Sequence, residues 1–277
     1  MKPGANLEPK VGKLRRILRK AGDLAIAFSG GVDSTFLAAV AAKELGDRAL
    51  AVTALSPTYP EKEQKEAVAL AARLKIKHVC VESNELLIPG FSDNPPDRCY
   101  HCKKELFKVL RGVADQEGIR WIADGTNADD LGDYRPGRRA AKECGVISPL
   151  LEAGLGKEEI RELSRGMRLP TADKPAYACL ASRFPYGSRI TEEKLAAVDK
   201  VENAIRKLGL GQVRVRHHGD IARIEVEPAA IHQVAKPEVR KKVVAAAKKV
   251  GFLYVSVDLE GYRTGSMNAP LTRKKTS

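Results

Sequence analysis

The stretch LAIAFSGGVDSTFLAAVAAKEL, residues 24–45, decides the fold. Residues 24–28 form an apolar run that ends in a Gly-rich turn, and Thr35–Leu45 continues the chain with alanine-rich helical character. A short apolar run closed by a turn reads as a buried strand, and the alanine-rich segment after it reads as a helix. The connecting loop is Ser29-Gly30-Gly31-Val32-Asp33-Ser34. Gly30 and Gly31 let the backbone approach an anion, and the helix start offers free amides and a positive dipole end. Ser29 and Ser34 add hydroxyl donors. Asp33 suits no bare phosphate; it suits Mg²⁺ that bridges carboxylate and pyrophosphate oxygens. The loop lacks the P-loop lysine.

Working outward, the alternation continues. ALAVTAL (49–55) reads as a strand, Glu61–Leu74 as an amphipathic helix and Ile76–Val81 as a strand. A long loop then leads to a helix from about Cys99 to Glu117, the strand IRWIAD and the polar turn GTNADD. A helix near 136–143, a short strand GVISPL and a helix over Lys157–Gly166 complete the first part. This order predicts an α/β fold with a doubly wound parallel sheet, whose ligands bind beyond the carboxyl ends of the strands. Ser29, Thr53 to Ser56 and Gly125 to Asn127 all fall at such ends. DKPAYACLASRFPYGSRI has little periodicity and reads as a functional or linking loop. The domains are drawn at 1–175 and 176–277, the second a smaller α+β unit with helix 191–207, strands QVRVRHH and IARIEVE, helices across 229–250 and strand FLYVSVD.

With 277 residues, 43% hydrophobic and 30% charged, the chain can bury a proper core and is too mixed for long disorder. No run approaches the roughly 18 apolar residues of a membrane span, and the N-terminal stretch lacks a hydrophobic signal core. The expected setting is cytoplasmic, with no membrane partner. The net charge of +13 permits attraction to nucleotides or other anions without choosing among them. Its basic runs, KPEVRKKVVAAAKK and the tail TRKKTS among them, read as solvated helix faces and a terminus.

Five cysteines, at 80, 99, 102, 144 and 179, suggest no secreted disulfide framework. Cys99-Tyr-His-Cys102 opens a predicted helix, so both sulfurs lie one turn apart on one face, where thiolates bind metal well. Cys179, in the irregular loop, could complete a three-cysteine set. Three thiolates can hold a [4Fe–4S] cluster with one iron open, whereas structural zinc wants four protein ligands. His101 would point away from both neighbouring cysteines. Ordinary thiols and a redox pair stay open as readings, and Cys80 and Cys144 read as packing residues.

The string SGGVDS resembles the PP-loop of the N-type ATP pyrophosphatases, a superfamily that includes NAD synthetase, the GMP synthetase ATP domain, tRNA thiolases and asparagine synthetase. Together with PPDRCYHCKKELF, ADGTNADDLGDYRPGRRAA, SPL and CLASRFPYGSRIT, it resembles the LarE family over most of the chain. Members of that family are ATP-dependent sulfur transferases that mature the nickel-pincer cofactor of lactate racemase. The resemblance implies that ATP adenylates a carboxylate of pyridinium-3,5-biscarboxylic acid mononucleotide with release of pyrophosphate. Sulfur then replaces AMP to leave a thiocarboxylate.

The resemblance also implies the roles. Asp33 holds Mg²⁺; Ser29, Gly30, Gly31, Val32, Asp33, Ser34, Thr53, Ser56, Gly125, Asn127 and Asp130 hold ATP. Cys179 carries sulfur, with Ser182 and Arg183 beside it, Arg183 neutralising charge on the adenylate. Cys99, Cys102 and Cys179 place the sequence with the family type whose three cysteines bind a [4Fe–4S] cluster; in the other type a single cysteine at the Cys179 position is sacrificed. Arg214 and Arg216 alternate on one strand and so share a face, where a substrate phosphate could bind, with an ordinary exposed strand face as the other reading. Glu202 and Glu225 resemble acidic residues near the family's metal and active site, with surface carboxylates as the other reading. The partners implied are a small-molecule nucleotide, a sulfide donor or iron–sulfur assembly proteins, and further copies of the chain, often six. A tRNA thiolase and a non-catalytic nucleotide sensor are the competing readings, but no RNA-binding module is recognised and nucleic acid is not an expected partner.

Overall fold

The computed structural model describes residues 7–132, 136–175, 178–263 and 265–269. Contacts divide the chain into two units: Met1–Glu85 with Cys99–Tyr177, and Leu86–Arg98 with Ala178–Ser277. The segment 86–98, drawn with the first domain from sequence, belongs to the second unit. The boundary drawn after residue 175 borders residues 176 and 177, which lie outside the described residues.

In the first unit, helices α1 (Glu8–Ala21) and α2 (Val32–Leu45) flank strand β1 (Leu24–Ala27) in the chain. Strand β2 (Ala49–Leu55), helix α3 (Glu61–Leu74) and strand β3 (Lys77–Glu82) come next, then α4 (Arg98–Gln116) and β4 (Ile122–Ala123). Short helices α5 (Gly137–Glu143) and α6 (Pro149–Glu152) precede α7 (Lys157–Gly166). The strands form a parallel sheet in the order β3-β2-β1-β4, with Leu24 opposite Ala49 and Ala25 opposite Ile122. The chain builds outward from β1 to β3 and then crosses to β4 on the other side, so β1 and β4 flank the reversal of strand order.

Strand side chains point alternately to two faces. Leu24, Ile26, Ala49 and Ala51 pack with residues of α1, α2, α3 and α7, including Leu14, Phe36, Leu70 and Ile160. Ala25, Leu50 and Val52 pack with Leu110, Val113 and Ala114 of α4. A sheet covered on both faces needs apolar residues along its inner strands, and LAIA and ALAV supply them.

Three differences from the sequence reading have simple causes. Helix α1 was not drawn, because its basic residues hide a stripe in which Leu14 and Leu18 are fully buried. Helix α2 starts at Val32 rather than Thr35, and Val32 anchors it in the core. GVISPL contributes only the bridge Ala123–Ile147, because Pro149 has no N–H for a ladder and instead opens α6.

The second unit holds α8 (Glu192–Arg206), the hairpin β5 (Val213–His218) and β6 (Ile221–Val226), helices α9 (Ile231–Ala235) and α10 (Pro237–Lys249), and β7 (Tyr254–Val257). Its sheet runs β5-β6-β7, antiparallel then parallel. Leu195, Val198, Val201 and Ile205 of α8 are buried, as are Val213, Val215 and Ile224 of the sheet. Among the described residues, no helix is long and apolar enough to cross a membrane.

Candidate functional site

The loop after β1 is held by loose bonds of its own. Ser29 Oγ lies 3.2 Å from Ser34 Oγ and accepts from the Gly31 amide at 3.4 Å. Gly31 sits at the N-cap of α2 in extended backbone and leaves the helix start without a side-chain cap, as an anion site requires. Gly30 has φ +66°, and a Cβ there would stand 3.0 Å from Ala67 Cα, so the loop depends on glycine for conformation and for space. Gly125, after β4, abuts the same place: its Cβ would meet the Ser34 amide nitrogen at 3.0 Å. The loops that leave β1 and β4 thus converge, as the reversal of strand order requires.

Asp33, in the first turn of α2, receives the Lys157 ammonium on Oδ2 at 2.6 Å. Its Oδ1 is buried with no hydrogen-bond partner. A buried carboxylate oxygen without a donor fits a hard cation such as Mg²⁺. Lys157 is placed by its own helix: Asp129 Oδ2 accepts the Lys157 amide at 2.7 Å at the start of α7, where a carboxylate is favoured by the helix dipole. Lys174 also reaches the loop, with its Nζ 3.4 Å from the Gly30 carbonyl. Sequence reading missed both lysines; only the fold brings them to residues more than a hundred positions away.

The other expected nucleotide residues are placed less simply. Thr53 donates its hydroxyl proton to the Phe28 carbonyl at 2.8 Å and so accepts from His78 Nε2, also at 2.8 Å. Ser56 is buried and donates to Glu85, while Gln64 bonds both its amide and its carbonyl. Both hydroxyls brace the carboxyl end of β2. Asn127 Oδ1 accepts the Asp129 amide at 2.9 Å, and Asp130 Oδ2 accepts the Asn127 amide at 3.0 Å, so these side chains shape the turn after β4. Asp124, just after β4, accepts from Thr126 in that turn and from Ser148 at the start of α6.

In the second unit the cysteine loop is gripped by its carbonyls. Arg183 is 0% exposed. Its Nη1 donates to the Ala178 and Cys179 carbonyls at 2.7 and 3.0 Å, and its Nε and Nη2 form a two-pronged pair with Glu202 at 2.8 and 3.0 Å. Ser182 Oγ donates to the Cys179 carbonyl at 2.8 Å. Arg98 bonds the Ala181 carbonyl at 2.9 Å, Asn94 bonds those of Phe184 and Pro185, and Arg216 bonds that of Ser182 at 3.0 Å. Arg98 and Asn94 come from the segment 86–98, which accounts for its membership of this unit. Cys179 itself is partly exposed at the mouth of this grip.

These contacts place the charged residues expected in this unit. Arg183, read as neutralising a nucleotide charge, spends its guanidinium inside the protein. Burial works against its charge, but Glu202 outweighs burial and holds it more firmly protonated. Glu202 and Glu225 are both fully buried, which removes the surface reading. Glu202 is bonded by Arg183, Arg206 and the Val215 amide, and Glu225 by Arg216 and Arg223, so arginines fill the places a metal would take. Arg214 and Arg216 lie on one strand and both are buried, so neither belongs to an exposed strand face. Burial, helped by the nearby Arg183, brings Arg214 down to about 10, and its guanidinium stacks 5.2 Å from the Tyr262 ring.

Cys99 is exposed and Cys102 half-buried on the first turn of α4, in the first unit, while Cys179 lies in the second. Among the described residues, no three His, Cys, Asp or Glu side chains are gathered to hold a metal ion. Cys80 lies exposed on β3 rather than packed as expected, and Cys144 is half-buried beside Phe107, Ala140 and Ala141.

The asparagine synthase family model matches residues 13–94, the part that contains the phosphate loop. The chain is 36% identical over 97% of its length, and 97% of the relative's, to pyridinium-3,5-bisthiocarboxylic acid mononucleotide synthase of Lactiplantibacillus plantarum. The chain belongs to the LarE family. It is therefore an ATP-using enzyme of the PP-loop superfamily, with an adenylating sulfurtransferase's architecture. An uncharacterized Synechocystis sp. protein is 46% identical over 96% of this chain and 100% of its own length. Outside the LarE family, the glutamine-hydrolyzing GMP synthase of Pyrobaculum aerophilum is 27% identical over 69% of this chain and 42% of its own.

Proposed function

We propose that this enzyme adenylates a carboxylate of pyridinium-3,5-biscarboxylic acid mononucleotide and exchanges the AMP for sulfur. The observation that carries the reading is Asp33, with its unpartnered buried oxygen beside an uncapped helix start and the Lys157 ammonium. The relative's name supplies the substrate class.

A carboxylate is a poor electrophile because oxide is a poor leaving group. In the proposed reaction a substrate carboxylate oxygen attacks the α-phosphorus of ATP, the bond to the β-phosphate oxygen breaks, and pyrophosphate leaves. The amides of α2 and the hydroxyls of Ser29 and Ser34 receive its oxygens, and Lys157 adds positive charge as the negative charge collects there. Asp33 would hold Mg²⁺, which supplies Lewis-acid neutralisation of the same oxygens. A sulfur nucleophile then attacks the acyl carbon, and AMP departs with the C–O electron pair.

Sulfur delivery is assigned to Cys179, whose carbonyl accepts from Ser182 and from Arg183, the latter paired in turn with Glu202. Delivery through a [4Fe–4S] cluster on Cys99, Cys102 and Cys179 rests on the resemblance alone, and no step is routed through it. Sacrifice of Cys179, with cleavage of its Cβ–S bond to leave dehydroalanine, is the second reading. Further copies of the chain, a sulfide donor and a cytoplasmic setting belong to the same proposal.

The test is turnover of the biscarboxylate substrate with ATP, measuring pyrophosphate, AMP and thiocarboxylate together. Absence of all three from active-site-intact protein overturns the reading. Iron and sulfide analysis of anaerobically purified protein, with Cys99→Ala as control, decides between the sulfur routes. A loss of about 34 Da at Cys179 after turnover, the mass of H₂S, marks sacrifice.

A further inference from the structure

Helix α3 carries two carboxylates toward the phosphate loop. Its residues Glu63, Glu66 and Ala67 share one face at helical spacing, and Ala67 packs so closely on Gly30 that a Cβ there would stand 3.0 Å from Ala67 Cα. The Lys174 ammonium lies 2.6 Å from Glu63 Oε2, 3.0 Å from Glu66 Oε2 and 3.4 Å from the Gly30 carbonyl oxygen. Those distances put both carboxylates well inside the roughly 8–10 Å Debye length of physiological salt from the loop backbone. Glu66 is partly exposed and also lies 3.7 Å from the Lys62 ammonium, so Glu63 depends most on Lys174. Negative charge left uncompensated so near the loop would oppose a polyphosphate.

We infer that Lys174 keeps the phosphate loop receptive to polyphosphate by neutralising the Glu63–Glu66 pair that α3 presents beside Gly30. It is a positioning and screening residue: its ammonium bonds protein oxygens, in contrast to a P-loop lysine, which grips the phosphate itself. The inference rests on the proposed role of the loop.

Three observations make the ammonium a fixed part of the structure. Lys174 and Glu63 are only 14% and 13% exposed. Burial works against the lysine's charge, but the bonds to Glu63 and Glu66 outweigh it and hold the ammonium protonated beyond the ordinary range. Its backbone is tied as well, because Arg161 of α7 donates to the carbonyls of Ala172 and Lys174 at 2.6 and 2.9 Å. The ammonium therefore arrives from a clamped segment, pinned between α3 and the loop, and its removal leaves both carboxylates in place.

The test is equilibrium binding of magnesium pyrophosphate to the full chain at low and high salt. K174M is expected to bind about tenfold more weakly at low salt, with the defect shrinking as salt screens the pair. K174R should stay close to the wild type, and E63Q/E66Q/K174M should recover most of the loss. Wild-type affinity in K174M overturns the inference, as does a folded triple variant as weak as K174M, since direct contact would then be the cause. If K174M does not fold, E63Q/E66Q with Lys174 intact serves instead: it should bind more tightly, and unchanged affinity is the contrary result. Failure of the wild type itself to bind magnesium pyrophosphate or ATP sinks the role of the loop, a separate outcome.

Discussion

Asp33 and Lys157 stand 124 residues apart in the sequence and meet at 2.6 Å. The pair gathers a carboxylate, a cation and a helix start at one point, although the helix that bears Lys157 lies beyond the last strand of the sheet.

Asp33→Ala should abolish pyrophosphate release while the protein still unfolds cooperatively. The ion pair is partly exposed, so its loss should cost no more than about 1 kcal/mol of stability. Lys157→Met should lower turnover by about 10²–10³-fold if the ammonium meets charge that develops in the transition state. Ordinary activity in either variant, measured by pyrophosphate release, removes that residue from the site.

Gly30→Ala should destabilise the first unit by about 1–3 kcal/mol, because φ +66° strains any side chain and Ala67 blocks the Cβ. Gly125→Ala meets its obstacle at the Ser34 amide, so its defect should lie in ATP affinity more than in stability. Denaturant midpoints and nucleotide titrations on the same samples separate the two, and equal behaviour would contradict the geometry.

Arg183→Met leaves Glu202 buried with part of its compensation gone, and breaking such a pair costs about 3–5 kcal/mol. Glu202 also carries a pH signature. Burial raises its carboxyl and the arginines lower it further, with a net downward shift. Its contribution is therefore full above the unfolded value near about 4.5 and is lost as acid takes the pH down through the lower native value. In Glu202→Gln that part of the acid dependence should vanish from urea midpoints measured across the range.

Three histidines work over a different range. Burial holds His78, His217 and His218 below their ordinary value, assisted at His217 by Lys194 and at His218 by Arg223 and Arg216. The unfolded chain then binds more protons than the native one just below the unfolded value near about 6.5. Stability should fall as pH drops from neutrality toward 5, and a flat profile over that interval would show these rings already charged in the native state. His78→Gln, which keeps a donor for Thr53, should remove one part of the slope.

The helices over Glu61–Leu74 and Lys157–Gly166 and the strand over 49–55 have the bounds that their periodicity predicts, because buried strands and amphipathic helices write their burial into local spacing. Helix α1 escaped the same reading because Arg15, Arg16, Arg19 and Lys20 mask its apolar stripe. GVISPL escaped because an apolar run looks alike in a strand and in an edge bridge, and only the missing proline N–H tells them apart.

For the site, the sequence alone determined the phosphate loop, since strand, glycines, carboxylate and helix start are contiguous and their chemistry comes from their order. The tertiary structure alone decided which charges meet: Lys157 with Asp33, Lys174 with Glu63 and Glu66, and Arg183 with Glu202. A charged residue reads the same in a string of letters whether it ends in water or opposite a buried partner. The cost of burying a charge is settled by what the folded chain places within bonding distance.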